Sequence, residues 1–218
     1  MRPSPAAEGD GPPAGPEPAV PPLVAARRSV RAFCDRPVDD ALLDRLVTAA
    51  CLAPAPHHSR PWRFVVCTSP AGRRALAEGM ARRWREDLAA DGTDPAEVES
   101  RCAASIRRLT AAPALVLACL TTEGLDRYPD PRRSAAEWGL AVLSLGAAVE
   151  NLLLAAADAG LGACWVAAPM FCPAESAAAL ALPDGWRPQA LVMLGWPAPG
   201  TPSRPRPPVP LEELRIRR

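Results

Sequence analysis

The sequence predicts an α+β fold built as one domain, and three observations carry that prediction. Two long helical stretches, residues 71–90 and 94–110, stand between the first and second strand-like segments. Their placement breaks the strict strand–helix alternation of a doubly wound sheet. The segment from Trp138 to Val149 is apolar almost all round and is bracketed by Glu137 and Glu150. It is shorter than the roughly 20 residues of a membrane span, so it reads as a helix sandwiched between a sheet and a second surface. The length, 218 residues, supports one substantial core and not two.

The elements follow in order. Residues 1–22 are rich in Pro and Gly, lack an apolar stretch of the kind a secretory signal needs, and are expected to be a disordered segment. The folded domain is expected over 23–218. A short helix, 23–28, leads into Arg27-Arg28-Ser29-Val30-Arg31-Ala32-Phe33. Asp39 is a good N-cap for a second helix, whose Leu42, Leu43, Leu46, Val47, Ala50 and Cys51 fall on one face. The helix stops at Ala53-Pro54. The loop Pro56-His57-His58-Ser59-Arg60-Pro61 precedes a strand at 63–68. After the two charged helices comes the apolar strand 114–120, then a polar loop with Tyr128-Pro129-Asp130. A long helix, 134–159, ends at Gly160-Leu161-Gly162. A strand at 163–167, a helix near 174–180 and a strand at 190–194 complete the core. From Gly195 onward a Pro-rich arm is expected to be extended. In the long helix Gly139, Ala141, Gly146, Ala147 and Ala148 would admit a close neighbour, for which the equivalent helix of a second subunit is the natural candidate.

Charge and cysteine content narrow the function. The formal net charge of +1 gives no reason to expect nucleic acid or a membrane surface as partner. The seven cysteines form no C-x-x-C pair and several lie in apolar runs. They read as free thiols in a reducing compartment, the cytoplasm. Two histidines offer no material for a metal centre.

The chemistry-bearing signals are few. Arg27, Arg28, Ser29 and Arg31 place three guanidiniums and a hydroxyl within five residues. Arginine forks match phosphate oxygens, although a solvated basic helix end reads the same way. Arg204 and Arg206 lie on the Pro-rich arm; if the arm returns to the first cluster, four or five cations surround one phosphate. Gly160-Leu161-Gly162 lacks a third glycine and follows a helix where a dinucleotide-binding turn follows a strand. A helix C-cap explains both glycines. No P-loop, G-x-S-x-G elbow or H-E-x-x-H occurs. His57 and His58 read as acid/base groups or as plain loop residues.

The opening Arg27–Phe33, the Pro56–Pro61 loop before a strand, Gly160–Trp165 and the terminal Gly195-Trp196-Pro197 arm together resemble the nitroreductase family. Within it, the closest resemblance is to the C-terminal FMN-binding domain of the actinobacterial bifunctional glutamate ligase that matures the deazaflavin coenzyme F-420. The stretches around Ala53–Pro61, Arg83–Leu88, Arg127–Asp130 and Gly160–Trp165 carry that likeness. It implies a nitroreductase-like fold, with a central mixed sheet flanked by long helices. It also implies a homodimer with an extended C-terminal arm and two FMN sites fed by both chains. By the same analogy Arg27, Arg28, Ser29 and Arg31 hold the FMN phosphate, with Arg204 or Arg206 closing over it. His58 and Arg60 stand where many relatives present Asn and Gln to the ring, and Trp165, Val166 and Ala167 run along it. The implied activity is reduction of a dehydro precursor of F-420, without ligation. Arg83, Arg85, Arg132 and Arg133 are surplus cations for such an anionic substrate. The alternatives are a general NAD(P)H-dependent nitro or quinone reductase of the same fold, and a flavin-binding protein or Pro-rich scaffold without turnover.

Overall fold

The computed structural model describes residues 20–201 and 206–218. Its frame is a four-stranded sheet in the order β1-β2-β4-β3, with β1 at Trp62–Cys67, β2 at Ala114–Leu120, β3 at Gly162–Val166 and β4 at Arg187–Gly195. All four strands pair antiparallel. The parallel component is a single bridge between Ser29 and Ala163 at the β3 edge.

Strand β2 explains the three-layer build. All seven of its residues are buried, and alternate side chains enter different cores, as the two-residue period of a strand requires. Ala114, Val116, Ala118 and Leu120 join the core beneath α2 (Asp40–Cys51) and α5 (Pro131–Asp158). Leu115, Leu117 and Cys119 join the core on the opposite face. That core is closed by α3 (Pro70–Ala90), by the short helices α6 (Ala168–Phe171) and α7 (Pro173–Ala179), and by the end of α4 (Pro95–Thr110). Strand β4 repeats the division, with Ala190, Val192 and Leu194 on one side and Leu191 and Met193 on the other.

The helix starts obey capping rules. Asp39, Ser69, Asp94 and Asp130 each accept a backbone N–H of the helix that follows, and α3, α4 and α5 carry Pro in their first turn. That proline starts α5 at Pro131, three residues before the expected 134. The chain also folds two short helices that the sequence does not announce, α6 and α8 (Leu211–Leu214). The latter lies in the arm expected to be extended. At the other end α1 spans Pro22–Ala26 and stops before the arginine cluster.

Helix α5 is long and apolar enough, by length and composition alone, to cross a membrane. In the fold, Leu145, Val149, Leu152 and Ala156 are buried against α2 and the sheet. Its other side is bare: Leu143 is 71% exposed, Leu140 is 43% exposed, and Gly139 and Gly146 face open space. The sandwich expected from the sequence is thus built on one side within the chain.

Leu152→Ala deletes a fully buried side chain between α5 and the sheet. It should cost about 2–5 kcal/mol, read as a lower denaturation midpoint with an unchanged slope.

Candidate functional site

The edge of β3 gathers the sequence-predicted cluster. Ser29 bridges Ala163, and Val30 N–H donates to the Ala163 carbonyl at 2.9 Å. Farther along, Cys34 N–H donates to Trp196 O at 2.9 Å, and Ala198 N–H donates to Ala32 O at 3.1 Å. The segment 29–34 therefore lies as an added edge, held by β3 at one end and by the chain leaving β4 at the other. Gly162 makes this approach possible. A Cβ there would stand 2.6 Å from Val30 Cγ1 and 2.8 Å from its Cβ.

The arm does return. Arg206 donates through Nη1 to Val24 O at 3.1 Å and through Nη2 to Arg27 O at 2.6 Å. Arg204 lies outside the described residues. The four residues of the cluster differ in what they have left to offer. Arg27 is tied by Nε to Glu150 of α5 at 3.1 Å. Arg28 spends Nη1 on the carbonyls of Ala25 and Arg27, which caps the end of α1, while its buried Nε has no partner among the described residues. Ser29 and Arg31 are exposed, and among the described residues neither side chain makes a hydrogen bond or ion pair. Burial pushes the Cys164 thiol up, and Arg31 and Arg108 partly offset that rise. Arg31 is thus close enough to bear on β3.

Glu150 is the residue the sequence does not reveal. It stands far from Arg27 in the chain, at the end of the apolar stretch of α5, where it reads as a bracket and not as a partner. No local pattern announces a pair formed only by folding.

Trp165, Val166 and Ala167 continue β3 away from the cluster, with Trp165 42% exposed. Their distance from Ser29 and Ala163 is about 7–13 Å along the strand direction. One edge therefore presents cations and a hydroxyl at one end and a partly open strand end at the other.

His58 and Arg60 lie elsewhere. Their loop enters β1, the opposite edge of the sheet, about 14 Å away across three strand spacings. Trp62 is level with Leu120 and Arg187, whereas Ala163 is level with Leu194, which adds about 24 Å along the strands. The loop is also strained. His57, His58 and Arg60 have φ of 52°, 54° and 46°, a left-handed conformation costing of order 1–3 kcal/mol per non-glycine residue. It is held by Ser59 N–H donating to Pro56 O at 3.0 Å and by Thr121 N–H donating to Pro61 O at 2.8 Å. Gly124 crosses directly over Ser59, where a Cβ would be 3.1 Å from the Ser59 carbonyl.

Of the surplus arginines, Arg83 is paired with Asp87 and Glu86, Arg85 with Glu99, and Arg133 with Asp130. Arg132 makes no ion pair among the described residues. No group of three or more potential metal ligands forms among the described residues.

The fold is an antiparallel four-stranded sheet between helical layers, with an arginine-serine segment stitched to its edge strand β3. Residues 24–196 match the nitroreductase family, and the chain belongs to that family. A 5,6-dimethylbenzimidazole synthase of Rhodospirillum rubrum is 33% identical over 180 residues, 78% of each chain. A BluB-like flavoprotein of Clostridium difficile superposes with a TM-score of 0.74 at 23% identity, covering 89% of this chain and 96% of that one. A nitroreductase-type protein of Desulfovibrio desulfuricans, solved in complex with FMN, gives a TM-score of 0.65 at 25% identity over 90% of this chain and 95% of that one.

Gly162→Ala should push Val30 off the β3 edge, at a cost of about 1–3 kcal/mol. Amide hydrogen exchange of Val30 should speed up more than that of the β2 core; equal protection in both proteins would show the approach to be slack.

Proposed function

We propose that the chain is an FMN-dependent oxidoreductase whose two sites form between paired subunits, and that it reduces a dehydro precursor in the biosynthesis of the deazaflavin coenzyme F-420. The observation that carries the flavin reading is the run of Arg28, Ser29 and Arg31 at the β3 edge, with Ser29 bridged to Ala163, Arg206 bonded to the neighbouring Arg27 carbonyl, and the Arg28 Nε without an acceptor among the described residues. A buried guanidinium N–H without an acceptor costs about 1–3 kcal/mol. A phosphate oxygen is a fitting acceptor, and the free Ser29 hydroxyl and Arg31 fork complete an anion site. The residues present thus fit the phosphate of FMN.

When bound, FMN supplies the hydride chemistry. Everything else falls to this chain. Arg31, Ser29 and Arg28 hold the phosphate, while Glu150 fixes Arg27 and Arg206 ties the arm over the cluster. The strand end Trp165–Ala167 is the surface along which a ring extends.

Two chains are supported by geometry. His58 and Arg60 lie too far from Ser29 within one chain to meet a single FMN. A second copy packed on the bare side of α5 is the proposed source of that loop at the β3 edge. The exposed Leu140 and Leu143 with the open Gly139 and Gly146 suit such packing. The free thiols and the fold suit the cytoplasm.

The F-420 assignment rests on the sequence likeness around Arg83–Leu88 and Arg127–Asp130. A second reading is favoured by the 33% identity to the Rhodospirillum rubrum enzyme, namely formation of 5,6-dimethylbenzimidazole. Incubation of the FMN-loaded, reduced protein, first without oxygen and then in air with dioxygen as the oxidant, separates the readings. Mass spectrometry should find the reduced deazaflavin when the dehydro precursor is supplied. Accumulation of 5,6-dimethylbenzimidazole supports the second reading, and NAD(P)H oxidation with menadione alone supports a general reductase.

Purified protein should carry the absorbance of oxidised flavin, and Arg31→Ala should weaken FMN binding by about tenfold to a hundredfold, as expected for a charge-assisted hydrogen bond. A protein that stays colourless after incubation with FMN would overturn the assignment.

The subunit pairing has its own test. In an isolated chain, Gly146→Ala fills open space in a helix and should stabilise by about 0.5–1 kcal/mol. Across a close helix pair the same change should shift the sedimentation profile toward monomer; a stabilised, unshifted protein would argue against pairing through α5.

A further inference from the structure

The loop joining β2 to α5 borders an open cavity of about 430 Å³ that none of the phosphate-site residues lines. Its size lies within the range of small-molecule sites. Tyr128, the one tyrosine of the chain, and Trp138 of α5 line it together with Arg127, Asp126, Glu137 and Ser134.

The two rings are held from outside the cavity. The Arg133 guanidinium sits 5.1 Å from the Tyr128 centroid, and that of Arg187 sits 5.2 Å from the Trp138 centroid. Neither arginine lines the cavity. Arg133 is itself fixed by Asp130. Ser134 donates to Tyr128 O at 3.2 Å, and Glu137 Oε1 accepts the Asp126 N–H at 3.2 Å. An exposed loop has thereby been tied down around two aromatic walls. Flat sequence-tolerant stacking is what such walls provide. Glu137 has acceptor capacity beyond its one bond, and Asp126 adds a second carboxylate. Two carboxylates repel a bare anion, so the polar edge selects an N–H donor. Arg127, without an ion pair among the described residues, remains for an acidic tail.

The cavity also sits beside the strained loop. Gly124 crosses Ser59, Thr121 N–H bonds Pro61 O, and Arg63 pairs with Glu123 at 2.5 Å. The segment lining the cavity and the segment carrying His58 and Arg60 are therefore packed against each other.

We propose that this cavity binds the ring of the second substrate, a planar heteroaromatic with a lactam or imide N–H edge, stacked on Trp138 and Tyr128 and read by Glu137. Menadione, which has no N–H, is the wrong class for it. This inference rests on the flavoprotein reading above, because the cavity joins the active site only where a partner's loop reaches the β3 edge.

Riboflavin and menadione serve as probes, titrated into FMN-loaded protein whose FMN is shown to stay bound on gel filtration. Riboflavin should bind the parent protein. Trp138→Leu should weaken it about tenfold, as loss of one stacking platform implies, and Trp138→Phe should restore most of the affinity. Glu137→Gln should weaken riboflavin several-fold and leave menadione unchanged. FMN content should be the same in all variants. Riboflavin affinity indifferent to both Trp138→Leu and Glu137→Gln would overturn the inference while the flavoprotein reading stands, as would a yellow parent protein that ignores riboflavin. A protein that refuses FMN takes both down.

Discussion

The site depends on a short piece of backbone pairing. Segment 29–34 has no strand of its own and is fixed by three hydrogen bonds, from Val30 to Ala163, from Cys34 to Trp196 and from Ala198 to Ala32. Each N–H and carbonyl so used would otherwise need water. The pairing sets where Ser29 and Arg31 stand relative to β3. It also brings the chain that leaves β4 alongside the N-terminal segment, which lets Arg206 reach the carbonyls of Val24 and Arg27. Without it the cationic residues of both ends would be ordinary solvated charges.

Rigidity behind that edge comes from β2 and β4, whose side chains alternate between two apolar cores. Because both faces are covered, the sheet cannot slip by one residue without exposing one core and burying the wrong set. The edge strands are therefore fixed in register, and functional groups can be hung on them with little local reinforcement. The strained left-handed residues before β1 are an instance. Their cost is carried by a strand that is locked to β2 along its full length.

The arginines show how an unremarkable charge balance still produces specialised sites. Several of them, Arg74, Arg83 and Arg101 among them, are paired on helix surfaces, where each pair contributes little. A few are spent on backbone carbonyls, as with Arg28 and Arg206, or laid over aromatic rings, as with Arg36 over Trp196 and Arg187 over Trp138. The guanidinium serves both uses because it is flat and weakly hydrated. Arg31 and Arg127 are among those that form no ion pair among the described residues, and they stand where the two candidate sites need a cation.

The sequence by itself determined the elements and the chemistry of single segments. Apolar periodicity located the helices and strands to within a few residues, since burial against a sheet demands it, and Asp39 marked a helix start because an orphan N–H must be capped. Arg27–Arg31 was legible as an anion-seeking cluster. Only the tertiary structure decided which of those arginines stay available, because Glu150 and the α1 carbonyls are partners assembled by folding. It also decided that the cluster and the His58–Arg60 loop occupy opposite edges of the sheet. Strand order is set by how side chains from distant segments fill two cores, and no local pattern encodes it. The cation-backed rings of Tyr128 and Trp138 were hidden for the same reason: Arg187 reaches Trp138 from a different strand, and the contact exists only after the layers close.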